Sequence, residues 1–384
     1  MSDRPLSLVL LPTLSCNAAC DYCFEEKAAV SLSLGDLDRL TASVLGHMEA
    51  VGAPRAEVYW QGGEALLLGP AWYEAAFERM GKAAAVRGLA FNHYLQTNLV
   101  GWGRQWEPVV RTVFNGSVGT SMDYPNRHRR LPGGMPEAFT ALWLRAVGEV
   151  LAAGFDVGVI AVLSADSLRV PPGEFLDFFT RTAGLSGLQV NLPFPGGPAR
   201  GGDTLETGPL TAFLVGLLDA WMADGFDRGV RLGPYDALLE TFAGRGGRLP
   251  CIWQPNCADE FISVDARGDV ALCDCWVTSY SSHRFGNLFE TPDLTALLAS
   301  SPARRAFLGR PAQLLEHAGC DRCDHLGLCH GGCPVRTFAA TGTILAKDPY
   351  CEVYQAVFSR CRTLAAEAAR RRLTACAPRT GSPI

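Results

Sequence analysis

The sequence predicts an α/β architecture: a partial (β/α)6 barrel followed by a small cysteine-rich module. Three observations predict it. Apolar or β-branched runs alternate with helix-patterned stretches through the first half of the chain, the mark of βαβ units and a parallel sheet. The 384 residues exceed the ~250–300 at which one hydrophobic core usually stops growing. The 14 cysteines are placed unevenly: three stand at 16, 20 and 23, none from 24 to 250, and eleven from 251 onward.

Taken in order, strands are expected at Ser7–Leu14, Glu57–Trp60, Ala90–Thr97, Gly116–Ser121, Asp156–Leu163 and Gly187–Leu192. Between them, apolar residues recur at helical spacing in Leu34–Ala50, Ala71–Arg87, Pro136–Ala153 and Gly173–Ala183. Six such units fall short of the eight that close a complete barrel. Pro195–Gly202, rich in Gly and Pro, reads as a loop or boundary, and a helix follows at Leu210–Ala223. Phe261–Cys273 alternates on both sides of Arg267-Gly268-Asp269 and reads as a hairpin. A short basic helix is expected at Thr363–Arg372. The domain organisation expected is 1–235 for the barrel, 236–362 for the cysteine module and 363–384 for a terminal helix and tail.

Composition excludes several classes. Hydrophobic residues make up 48% and charged ones 19%, enough to bury large cores and too apolar for a disordered chain. Lys+Arg 34 against Asp+Glu 39 gives a net charge of −5, so no nucleic-acid coat is expected. No apolar run approaches the ~18 residues that span a bilayer. Met1-Ser2-Asp3-Arg4-Pro5 lacks the features of a signal peptide. A soluble, cytoplasmic protein without a membrane or nucleic-acid partner is the expectation. In a reducing compartment, closely spaced cysteines signify metal ligation or catalysis rather than disulfides.

Cys16-x3-Cys20-x2-Cys23 follows the first expected strand. Three thiolates on one short loop can hold three irons of a [4Fe–4S] cube and leave the fourth open to a chelating ligand. A structural zinc site needs a fourth ligand, and none follows nearby. Gln61-Gly62-Gly63-Glu64 follows the second strand; glycines let a backbone approach a ligand and the carboxylate offers an acceptor for an ammonium. In the second half, Cys251 and Cys257 precede Gly268-x4-Cys273, then Cys320-x2-Cys323-x5-Cys329-x3-Cys333, then Cys351. Eight thiolates can fill two [4Fe–4S] clusters. Cys361 and Cys376 fall outside the pattern and read as plain helix thiols.

The triplet, with Tyr22 before its last cysteine, resembles the signature of radical S-adenosylmethionine (SAM) enzymes, and the later cysteines resemble the SPASM domain found on radical SAM maturases of peptides and proteins. The resemblance implies a [4Fe–4S] cluster on Cys16, Cys20 and Cys23, with SAM chelating the open iron and yielding a 5′-deoxyadenosyl radical on reduction. It implies SAM contacts at Tyr22, Gly62, Gly63, Glu64, Ser121 of Ser121-Met122-Asp123, and Arg130 or its neighbour Arg129. It also implies two auxiliary clusters, one on Cys251, Cys257, Cys273 and Cys333, the other on Cys320, Cys323, Cys329 and Cys351. Three [4Fe–4S] clusters, SAM, and an electron donor such as flavodoxin or ferredoxin are the cofactors and partner so implied.

Within that family the likeness is greatest to anaerobic sulfatase-maturating enzymes. Gln61–Glu64, Leu95-Gln96-Thr97-Asn98, Ser121–Asp123 and Phe285-Gly286-Asn287-Leu288 recur in the same order. The likeness implies that Asp274, directly after Cys273, takes a proton from a peptidyl side chain as it is oxidised. There are departures. Ala65 stands where a Pro is common, Cys275 follows Asp274, and Asn191–Pro195 does not match the family's strand end. A small polar substrate such as an aminocyclitol or sugar therefore stays open beside a peptide substrate, as does a non-catalytic zinc-binding protein.

Overall fold

The structure, a computed structural model, describes residues 5–196, 204–246 and 248–375. Of the Pro195–Gly202 segment only Pro195 and Gly196 are included, and Cys376 lies outside the described residues.

The barrel is laid down as alternating strands and helices: β1 (Leu6–Thr13), α1 (Leu34–Val51), β2 (Arg55–Gly62), α2 (Pro70–Ala85), β3 (Ala90–Thr97), α3 (Glu107–Thr112), β4 (Ser117–Ser121), α4 (Pro136–Ala152), β5 (Asp156–Val162), α5 (Pro172–Asp177), β6 (Gly187–Asn191), α6 (Thr207–Ala220), β7 (Arg231–Gly233) and α7 (Tyr235–Phe242). Strands β1 to β7 are parallel neighbours in sequence order. A parallel sheet covered by helices buries its strands on both faces; all of Ser7–Thr13 is buried. The helices start where chain chemistry allows. Ser33 caps α1, its Oγ accepting from Asp36 N at 3.0 Å, and Gly52 closes it in the left-handed region at φ 71°. α2, α4 and α5 have proline at their first turn, where a missing N–H costs nothing. In α1 the buried Leu37, Leu40, Val44, Leu45 and Met48 form the stripe that meets the sheet.

The six expected strands are present, and the sheet extends beyond them. β7 has three residues, too few to carry a pattern in sequence. The cysteine-rich part contributes β8 (Ile262–Asp265) and β9 (Asp269–Ala271), followed by α8 (Asp274–Ser279), β10 (Gly286–Asn287), α9 (Leu294–Ser300), α10 (Pro302–His317), α11 (Leu326–Cys329), α12 (Pro334–Thr341) and α13 (Cys351–Ala375). β8 and β9 form the expected hairpin, with Gly268 at φ 85° in its turn. β8 also pairs in parallel with β1, Leu8 opposite Ile262 and Val9 opposite Ser263. The order is therefore β10-β9-β8-β1-β2-β3-β4-β5-β6-β7, one ten-stranded sheet. All four residues of β8 are buried, as a strand must be when its neighbours cover both faces. The terminal helix expected at Thr363–Arg372 begins at Cys351: its first turn carries a cysteine and apolar residues that local basic character does not reveal, and it packs on α6 and α7. Among the described residues no helix is long and apolar enough to cross a membrane.

Candidate active site

Parallel strands deliver the loops at their carboxyl ends to one end of the sheet, where α/β folds place their sites. The 14–33 loop after β1 is held there by backbone bonds from both sides. Leu14 N donates to Val30 O at 2.9 Å and Leu32 N to Pro12 O at 2.7 Å; Ala19 N donates to Arg130 O at 2.7 Å and Asp21 N to His128 O at 3.2 Å. Asn17 Nδ2 donates to Val100 O at 2.9 Å. Cys16, Cys20 and Cys23 sit half-buried on this loop. Burial pushes the Cys16 thiol up to about 11 and Cys23 up to about 12, while the nearby Lys27 charge pulls both down. Burial raises Cys20 as well, with Arg129 the first counteracting charge.

Gly62 and Gly63 lie directly against this loop. A Cβ on Gly62, whose φ is 111°, would meet Thr13 O at 2.6 Å; one on Gly63 would meet Ser15 O at 2.2 Å. What the glycines admit in this structure is the protein's own backbone beside Cys16. Glu64 is 2% exposed. Its Oε1 accepts from Leu66 N at 2.9 Å and from Thr97 Oγ1, and its Oε2 from Asn98 N at 2.7 Å. Burial lifts its carboxyl to about 7 against those three donors. Glu64 thus knits the ends of β2 and β3 together.

Ser121, at the end of β4, accepts from Gln96 Nε2 at 2.8 Å. Beyond it Asp123 is the hub of a buried network. Its Oδ2 accepts from the Tyr22 hydroxyl and from Arg129 Nε at 2.9 Å, and its Oδ1 accepts from Val162 N at 3.0 Å. The Arg129 guanidinium also lies 5.4 Å from the Tyr22 ring centroid. Both arginines meet the cysteine loop: Arg129 is buried against Asp123 and the Tyr22 ring, and Arg130, half-exposed, pairs with Asp21 of the loop. Arg127 pairs with Glu137 at the surface.

The later cysteines gather in two groups. Cys251 is pushed well up by burial, then by Cys257, Cys333 and Cys273; burial likewise takes Cys257 to about 12, with Cys333 and Cys273 adding to it and Arg310 opposing. Cys320, Cys323, Cys329 and Cys351 line a cavity of about 70 Å³. Gln355 Nε2 donates to Cys351 Sγ at 3.5 Å and Cys323 Sγ at 3.7 Å. Thiols gathered this closely suit a metal centre that takes up the thiolate charge. Asp348 ties the sets together: its Oδ2 accepts from Cys333 N at 2.8 Å and from Arg336 Nε at 3.1 Å, and its backbone O accepts from Cys351 N at 3.0 Å. A Cβ on Gly332 would strike Asp348 Cβ at 2.4 Å.

Asp274 opens α8 and stands where the two halves of the chain meet. Gln61 Nε2, at the end of β2, donates to Asp274 Oδ2 at 2.7 Å, and Cys275 N donates to Oδ1 at 2.9 Å. Burial raises the Asp274 carboxyl and these donors pull it back. The ligand atoms of Cys273, Asp274 and Cys275 all lie within 4.8 Å of one another. Cys275 is buried, as is Cys361 in α13. Glu25 was not anticipated. It is buried, and burial followed by the charge of Asp274 pushes its carboxyl up to about 8.

No protein-family profile matches the chain. Over 360 residues it is 25% identical to the serine-type anaerobic sulfatase-maturating enzyme of Klebsiella pneumoniae, spanning 91% of this chain and 87% of that protein. Its structure matches anSMEcpe, solved with bound AdoMet and a Cp18Cys peptide, with a TM-score of 0.79 at 23% identity, covering 96% of this chain and 99% of that one. The fold is that of a radical SAM enzyme with a SPASM domain. Streptococcus suis SuiB, solved bound to its precursor peptide SuiA, shares it at a TM-score of 0.58 and 14% identity, over 91% of this chain and 76% of that one. Sulfatase-maturating enzymes are thus among the proteins this chain resembles in sequence, and anSMEcpe, which shares its fold, was solved with AdoMet bound.

Proposed function

We infer that this radical SAM fold oxidises a peptidyl side chain, of the formylglycine type or another peptide maturation, in the cytoplasm with flavodoxin or ferredoxin as electron donor. Cys16, Cys20 and Cys23 would hold the SAM cluster; Cys251, Cys257, Cys273 and Cys333 a first auxiliary cluster; Cys320, Cys323, Cys329 and Cys351 a second. The observation that carries this reading is the Gln61–Asp274 hydrogen bond of 2.7 Å. Through it a carboxylate of the cysteine module stands at the mouth of the barrel, beside the glycine turn that borders Cys16. The solved relatives that bind peptides, anSMEcpe and SuiB, support a peptide as substrate.

Bound together, cluster and SAM supply reductive SAM cleavage and a strong hydrogen-atom abstractor. The chain's residues do the rest. Ser121, Tyr22 and Arg129 with Asp123 form the polar wall on the β4 side. Gln61 orients Asp274 and keeps one of its oxygens hydrogen-bonded. Asp274 accepts the proton that the substrate side chain loses as its second electron leaves.

The test is mass spectrometry of a peptide carrying Cys or Ser in a Cys/Ser-x-Pro-x-Arg context, incubated anaerobically with reconstituted protein, SAM and reductant, with 5′-deoxyadenosine followed in parallel. Conversion to the aldehyde establishes a formylglycine-generating maturase. 5′-Deoxyadenosine without a peptide change keeps the radical chemistry and removes that substrate. Absence of 5′-deoxyadenosine removes the reading. With any converted peptide, Asp274→Asn is expected to slow product formation by about 10²-fold or more, the usual worth of a general base.

A further inference from the structure

Glu25 lies two positions after Cys23 and is 7% exposed. Among the described residues no hydrogen bond or ion pair reaches its carboxylate. Lys27, a nearby cation whose charge pulls the Glu25 carboxyl down, donates its ammonium to the Ala18 carbonyl rather than to Glu25. A carboxylate this far withdrawn from water, with a second acid nearby, is stabilised by a cation placed beside both. The surroundings say where that partner sits. The Ser279 hydroxyl donates to Phe24 O, which lays the Phe24–Glu25 segment along α8, the helix that begins at Asp274. Asp274 is the first of the charges acting on Glu25, and it too forms no ion pair among the described residues; its donors are the neutral Gln61 and Cys275 groups. Phe24 packs edge-on against Phe194 at 6.3 Å. The Tyr280 hydroxyl donates to Pro195 O at 2.8 Å, drawing the end of β6 over the same place. Glu25 and Asp274 thus stand beside Phe24 and Phe194, and among the described residues neither carboxylate forms an ion pair with a Lys or Arg.

The geometry points to a subsite for a substrate cation: resting on the proposed reading of this site, the part of the substrate lodged beside Asp274 carries a protonated amine or guanidinium, gripped by Glu25 and Asp274. Such a group brings several N–H donors and a charge to both acids. A neutral alkyl group in place of that cation leaves Glu25 buried and without a charged partner.

Reconstituted, anaerobic full-length protein with SAM is titrated by ligand-observed NMR with n-butylammonium and n-propylguanidinium, against n-butanol and n-propylurea. The cations are expected to bind about tenfold or more tighter than their neutral counterparts, and the ratio is expected to collapse toward one in Glu25→Gln. Equal binding of charged and neutral probes to the unaltered protein overturns the proposal, and that comparison does not depend on any variant folding. A preference that survives unchanged in Glu25→Gln overturns the assignment to Glu25. In a second arm, 5′-deoxyadenosine formation is followed with a lysine-containing tetrapeptide, its norleucine counterpart and glucosamine. Stimulation by an amine and not by norleucine supports the subsite, and which amine acts tells a peptide carrier from a sugar; equal stimulation by norleucine counts against it. Absence of 5′-deoxyadenosine in every mixture removes the radical reading itself, a result the binding titration distinguishes from loss of the cation subsite.

Discussion

Gly63 is the residue at which one methyl group decides the site. Its missing Cβ leaves room for Ser15 O, which would otherwise lie 2.2 Å away, and Ser15 precedes the first cysteine of the cluster loop. Gly63→Ala is expected to push that loop off β2 and lower iron content after reconstitution, read by iron and sulfide analysis. Gly46, inside α1 with nothing within 4 Å of where its methyl group would sit, is the control: Gly46→Ala is expected to raise stability by about 0.5–1 kcal/mol. Asp123 works by charge rather than space. It is 2% exposed and holds Arg129, Tyr22 and the backbone of Val162. Asp123→Ala leaves a buried guanidinium unpaired and is expected to cost about 3–5 kcal/mol in denaturant unfolding. At this scale the sequence was uneven. The gathering of Cys16, Cys20 and Cys23 on one loop was legible because it is written in short local spacings. That Arg129 is buried on Asp123 while Arg130 pairs half-exposed with Asp21 was not, since the turn after β4 sets where each side chain goes. Glu25 was not either, because Glu25-Glu26 after a cysteine loop reads as two solvated acids until the loop is folded against α8.

Among the elements, β3 carries a titratable group with no charged neighbour to explain it. His93 is 2% exposed, accepts from Trp60 Nε1 at 2.9 Å through Nδ1, and stacks on that ring at 5.8 Å. Burial alone takes its pKa down to about 3, against roughly 6.5 in an unfolded chain. The folded state therefore binds the proton less readily than the unfolded one. Its contribution to stability is complete above pH 6.5 and is lost as pH falls from there toward 3. Replacing His93 by Asn, which keeps an acceptor for Trp60, is expected to remove that slope. Between pH 7 and 5 the stability of the unaltered protein should drop relative to His93→Asn by about 2 kcal/mol, read by denaturant titration at each pH; parallel curves would refute it. Elements were mostly readable from pattern, and the exceptions have physical reasons. β7 is shorter than a period-two signal, and α13 hides its start because Cys351 and the apolar residues after it resemble the end of a cysteine loop.

At the scale of the molecule, the barrel and the cysteine module are one sheet. β8 pairs with β1 along Leu8–Leu11 and Ile262–Asp265, Ser43 donates to Pro292 O, His47 bonds Thr295 Oγ1 at 2.9 Å, and Arg360 reaches Asp219 at 2.7 Å. Removing the module bares the edge of a buried, largely apolar strand, a template for aggregation. A fragment ending at residue 235 is therefore expected to be insoluble or self-associated, where the full chain gives one sharp species by size-exclusion chromatography. A monomeric, helical fragment would show that the β1–β8 pairing is dispensable.

By itself the sequence determined the alternation of strands and helices and the close spacing of the cysteines, because strand pattern, helix pattern and residue spacing are all local. Tertiary structure alone decided that β8 completes the edge of the barrel, that Gln61 meets Asp274, that Arg129 is buried on Asp123 while Arg130 pairs with Asp21, and that Glu25 is buried along α8. Each of these joins residues far apart in the chain, and which of many possible partners meet is fixed only when the whole core packs.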